Sequence, residues 1–128
     1  MSFQKGMSKQ YSISMEDRGD YLYALVGGEK LTAQISASYW NEIAERCFEK
    51  DIRKIMIEKN FEETVSAEEM LRMADHVGQL LPNRRVAFLD RFQHDDINEL
   101  GKRLARNRDI MLQIFDSPAE AEKWLRAN

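Results

Sequence analysis

The order of apolar runs constrains this chain more than any other feature. Two strand-like runs come first, and helix-like and strand-like runs then alternate to the end. Tyr11, Ile13 and Met15 alternate with Ser12, Ser14 and Glu16, which is the period of a half-buried strand. After the polar run 16–20, residues 21–26 read as a second strand ended by a turn at Gly27-Gly28, so the two runs form a hairpin. Tyr39, Ile43 and Cys47 share one helical face with Trp40, Ala44 and Phe48 beside it, and Thr32 or Ser36 can cap the start. Residues 54–58 read as a short buried strand. Ser66-Ala67-Glu68-Glu69 fits a capping box, and Met70, Met73, Ala74, Val77 and Leu81 carry the apolar stripe until Pro82-Asn83 stops it. Residues 86–89 form a fourth strand. Ile97, Leu100, Gly101, Leu104 and Ala105 mark a third helix, and residues 110–115 a fifth strand. Ser117-Pro118-Ala119-Glu120 combines an N-cap serine, an N1 proline and an N3 glutamate, and opens a last helix with Ala121, Trp124 and Leu125 inward.

The order ββαβαβαβα implies an α/β fold with about five strands in a mixed sheet and about four helices. Each later strand is followed by a helix that can cross over the sheet. At 128 residues the chain suits one domain, expected over 10–128, with the polar residues 1–9 expected to be disordered. No internal repeat, low-complexity tract or linker divides it. A 43% hydrophobic content supports a real core. The net charge of -3 argues against nucleic acid as the main partner, because phosphate binding needs a basic face. A single cysteine allows no intramolecular disulfide and suits a reducing compartment. The first residues lack the apolar core of a signal peptide, and no run reaches the roughly 20 apolar residues of a membrane span. The expectation is a cytoplasmic protein with no transmembrane segment.

Several stretches resemble the STAS fold of bacterial anti-sigma factor antagonists, and in particular its SpoIIAA-like, or STAS/SEC14-like, branch. They are Gly28-Glu29-Lys30-Leu31-Thr32 after the second strand, Val86-Ala87-Phe88-Leu89-Asp90 as a buried strand ending in aspartate, Asn107-Arg108 before the last strand, and the closing run from Phe115 to Leu125. The resemblance spans roughly residues 10 to 126 and implies a single STAS-like domain with a role in binding or regulation. In the antagonists a phosphorylatable serine opens the helix after the third strand. Ser66 falls at the comparable place with Thr64 nearby, but the usual aspartate-serine pair followed by small residues and glycine is absent.

Three groups of residues are candidates for function. Ser66 and Thr64 are candidates for a phospho-switch, since a helix N-terminus stabilises an anion, although the capping box by itself explains Ser66. Asp90, Arg91, His94 and Asp95 follow the fourth strand, at the end of the sheet where ligands of open α/β folds bind. Their histidine and carboxylates suit proton transfer or metal binding, and a polar loop capping the third helix explains them equally. Lys102, Arg103, Arg106 and Arg108 form a candidate patch for an anionic partner, against the general preference for cations near a helix C-terminus. Cys47 reads as a buried structural thiol, and Met56, Met70, Met73 and Met111 as core filler or the wall of an adaptable pocket.

No catalytic constellation, metal site or cofactor motif stands out, since Gly27-Gly28 lacks a following phosphate-loop sequence. The leading expectation is a non-catalytic regulatory module that binds a protein partner around Thr64, Ser66 and the third helix. The alternative is a carrier for a lipid or other apolar small molecule, held in a pocket between sheet and helices. A hydrolase or metal enzyme using His94 is the weaker third. An exposed Trp40 or an unpaired edge strand would supply a homodimer contact.

Overall fold

The computed structural model describes residues 10–127. Five strands and four helices follow in the expected order: β1 (Ser12–Asp17), β2 (Leu22–Lys30), α1 (Ala33–Lys50), β3 (Lys54–Glu63), α2 (Ala67–Leu80), β4 (Arg85–Asp90), α3 (Asp95–Arg106), β5 (Met111–Ile114) and α4 (Pro118–Ala127). The stretch 1–9, expected to be disordered, lies outside the described residues. The strands form one mixed sheet in the order β1-β2-β3-β4-β5. β1 pairs antiparallel with β2 through the hairpin, and every later pair is parallel because a helix intervenes.

Side-chain alternation divides the core between the two faces of the sheet. Leu22, Ala24, Val26, Ile55, Ile57, Phe61, Val86 and Phe88 point to the face covered by α1, α2 and α3. Tyr21, Met56, Ala87 and Leu89 point to the other, where α4 contributes Ala121 and Leu125. Thr32, the earlier of the two candidates, caps α1 by accepting from the Ile35 N–H at 3.1 Å. Ser66 and Glu69 complete their capping box, and the Glu120 N–H donates to Ser117 Oγ at 3.4 Å.

Four local expectations need correction. Gly27 and Gly28 do not turn the chain, but lie inside β2 opposite Asn60 and Phe61. A Cβ at Gly27 would sit 2.9 Å from the Asn60 carbonyl oxygen, so the close approach of β3 requires the missing side chain. β3 is about twice its expected length, because the ladder to β2 continues through Lys59, Asn60 and Phe61. Trp40 is buried beneath α2 and cannot be a dimer contact, and Met111 lies exposed on the edge strand instead of filling the core. No helix among the described residues is long and apolar enough to cross a membrane.

Candidate functional site

The candidate site grows from the register of two adjacent parallel strands. Alternation on β3 sends Ile55, Ile57, Lys59 and Phe61 toward the three-helix face, and on β4 it sends Val86, Phe88 and Asp90 the same way. The ladder sets Lys59 directly opposite Asp90. Both side chains therefore enter an interior otherwise built from hydrocarbon.

Asp90 is almost completely enclosed, with a side chain only 4% exposed. Its carboxylate accepts four hydrogen bonds. Phe92 N donates to Oδ1 at 3.1 Å, while Oδ2 receives His94 N at 3.0 Å, His94 Nδ1 at 2.9 Å and Asn98 Nδ2 at 2.9 Å. Burial alone would raise this carboxyl. The bonds from Asn98, from the His94 backbone and ring and from Phe92 outweigh it and hold the group below its ordinary value. His94 bridges further, for its Nε2 lies 3.0 Å from the Glu62 carbonyl at the end of β3. Both ring nitrogens thus face acceptors, and only a doubly protonated ring donates to both. The cluster fastens the start of α3 to the ends of β3 and β4.

Lys59 has no such satisfaction. It is 5% exposed and has neither a hydrogen bond nor an ion pair among the described residues. Its ammonium lies 5.1 Å from the centre of the Phe88 ring. Burial pushes the amine down to about 8, even though Asp90 pulls in the opposite direction. Asn98, also 5% exposed, gives its Nδ2 to Asp90 and leaves Oδ1 without a partner.

Lys59 and Asn98 both line a cavity of about 80 Å³ between the sheet and helices α1 to α3. The rest of its wall is almost wholly apolar, including Trp40 from α1, Met70, Met73 and Val77 from α2, and Phe88 from β4. Gly101 on α3 helps set the spacing, since a Cβ there would lie 3.2 Å from Met70 Sδ. Tyr39 also borders the cavity, and burial pushes its hydroxyl far above the ordinary tyrosine value.

No protein-family model matches this sequence, and no curated protein matches it either. Among solved structures, it is similar to an uncharacterized protein of the DUF3478 family with a SpoIIAA-like fold from Shewanella loihica PV-4. The two align with a TM-score of 0.53 and 18% identity over 90% of this chain and 93% of that one. The fold is SpoIIAA-like. At that identity the likeness concerns the backbone and leaves the side chains of the SpoIIAA-like cavity to be read from this chain itself.

The candidate residues are distributed unevenly around that cavity. Asp90 and His94 come together, whereas Arg91 turns away to Glu58 at 3.3 Å and Asp95 stands exposed in the first turn of α3. Ser66 is exposed and uses its hydroxyl as the α2 cap, accepting from Glu69 N at 3.2 Å, and Thr64 lies half-buried just beyond β3. The basic residues disperse: Lys102 borders the cavity, Arg103 is exposed, Arg106 faces a separate groove, and Arg108 is paired with Asp75 at 2.7 Å. His76 bonds Asn41 on α1, and no group of three or more metal-ligating side chains gathers among the described residues. Burial pushes the Cys47 thiol up to about 11.

Lys59 and Asn98 were not among the sequence candidates. Lys59 had a detectable signal, because it continues the period-two row Ile55, Ile57, Lys59, Phe61. Asn98 had none, since an asparagine in an amphipathic helix reads as a solvent-facing residue.

Proposed function

We propose that this STAS-type module is a non-catalytic binding protein that holds a small, largely apolar molecule between its sheet and helices. One observation carries the reading: an apolar cavity whose wall includes two polar groups, Lys59 Nζ and Asn98 Oδ1, without partners among the described residues. Leaving a buried donor or acceptor unpaired costs roughly 1–3 kcal/mol, so a ligand that meets these groups gains what the empty site forfeits. Ligand sites combine this kind of apolar wall with a few convergent polar groups.

The dimensions favour a small molecule over a lipid chain. A cavity of about 150 Å³ takes benzene, and this one is about 80 Å³. The unbranched Met70 and Met73 let it adjust to a slightly larger guest. Native mass spectrometry of the chain purified from its own cells tests the reading. A retained adduct of low mass, released on unfolding, is the expected result. A bare chain that also binds no small apolar probe would overturn it.

A second reading, a regulatory module binding a protein partner, draws support from another feature. Arg53, Lys54, Arg84, Arg85 and Arg106 line a surface groove of about 670 Å³ at the N-terminal ends of β3, β4 and β5. Its charge suits an acidic segment of a partner. Salt-sensitive binding of an acidic peptide, weakened by R85E, is the expected outcome under this reading, and binding indifferent to that change would remove it.

A further inference from the structure

The two unpaired groups also restrict the chemistry of the ligand's head, an inference that rests on the cavity being a binding site. The orientation of the Asn98 amide is fixed from outside the cavity. Its Nδ2 donates to Asp90 Oδ2 at 2.9 Å, and turning the amide over would set its oxygen against a carboxylate oxygen. The unpaired Oδ1 is therefore an acceptor and cannot exchange places with a donor. Lys59 Nζ, on the strand opposite Asp90, offers only N–H donors. The head that fits must accept from Lys59 and donate to Asn98.

A carboxylate fails the second requirement. It satisfies the ammonium, but it brings oxygens without protons to Asn98 Oδ1 and a second negative charge into the neighbourhood of Asp90. A plain hydrocarbon satisfies neither group. A hydroxyl or a primary carboxamide satisfies both, since each carries a lone pair and a proton on one compact head. We propose that the cavity selects a small uncharged molecule with a hydroxyl or primary carboxamide head held between Lys59 and Asn98. Its apolar tail lies among Met70, Met73 and Val77.

The test titrates the full chain by NMR with butanamide, 1-butanol and butanoate, which share one tail length, and with xenon, which has no head. Butanamide and butanol are expected to bind about tenfold or more tightly than butanoate, the scale on which a built hydrogen-bonding site rejects a mismatched group. In Lys59→Met and, separately, Asn98→Leu, that advantage is expected to shrink below about threefold while xenon binding persists. Two variants are needed because Asn98→Leu also removes a bond to Asp90. Equal or tighter binding of butanoate would overturn the head-group assignment, as would discrimination that survives in both variants. Saturable xenon binding alongside either result would leave the cavity reading standing, whereas no saturable binding of any probe would overturn both.

Discussion

Asn98 donates its side-chain amide to Asp90 across 2.9 Å, and in doing so leaves its own carbonyl oxygen facing the cavity with no partner. One hydrogen bond thus links the stability of the α3 start to the character of the cavity wall. Asp90 orients the asparagine, and the asparagine presents the acceptor.

Asp90→Ala should destabilise the fold by about 2–4 kcal/mol, because it strips the acceptor from four donors at once. The sign of the pH effect follows from the lowered carboxyl. Its contribution is complete above the unfolded value of 3.8 and fades as the pH falls through the lower folded value. Urea denaturation of both proteins should show the difference intact at pH 7 and shrinking below about pH 4. A difference that grows in acid would contradict this role.

The element order was legible because its signals are local. Ser66 with Glu69, and Ser117 with Pro118 and Glu120, mark helix starts within four residues of sequence. The strand ends were less legible. Gly27-Gly28 carries the composition of a turn, and only the approach of Asn60 from a distant strand shows why glycine belongs inside β2. Lys59 and Glu62 gave the second half of β3 the polarity of a loop, although the lysine is buried. The cavity had no signature, since it is a gap left by three helices and three strands packing together. Asp90 and His94 stood out as a motif. What joins them, the Glu62 carbonyl and the Asn98 amide, comes from elsewhere in the chain.

Lys59→Met should raise stability at pH 7. The folded amine titrates near 8 against 10.5 unfolded, which corresponds to a cost of at most ~3 kcal/mol for keeping the buried ammonium. That cost is complete below pH 8 and disappears as the pH rises through 10.5, where the unfolded lysine also loses its proton. The gain over wild type should therefore shrink between these values. A variant less stable than wild type at pH 7 would show that the ammonium has favourable partners.

Gly27→Ala should cost about 1–3 kcal/mol, because the new Cβ meets a backbone oxygen that cannot rotate aside. Thermal melts with amide exchange at β2 and β3 would locate the loss. A neutral substitution would mean that the two strands separate more easily than their register suggests.

Ser66→Ala should lower stability by about 1 kcal/mol, the usual value of an N-cap, while leaving small-molecule binding unchanged. Loss of an association with a protein partner at unchanged stability would instead favour the regulatory reading.

The most direct measurement is xenon titration of the full chain carrying ¹³C-labelled methionine methyl groups. Met70 and Met73 border the cavity, whereas Met56 lies on the opposite face of the sheet and Met111 is exposed. Saturable shifts confined to Met70 and Met73 are the expected result. Shifts shared equally by Met56 and Met111, or no saturable shift at all, would contradict a binding cavity between the sheet and its three helices.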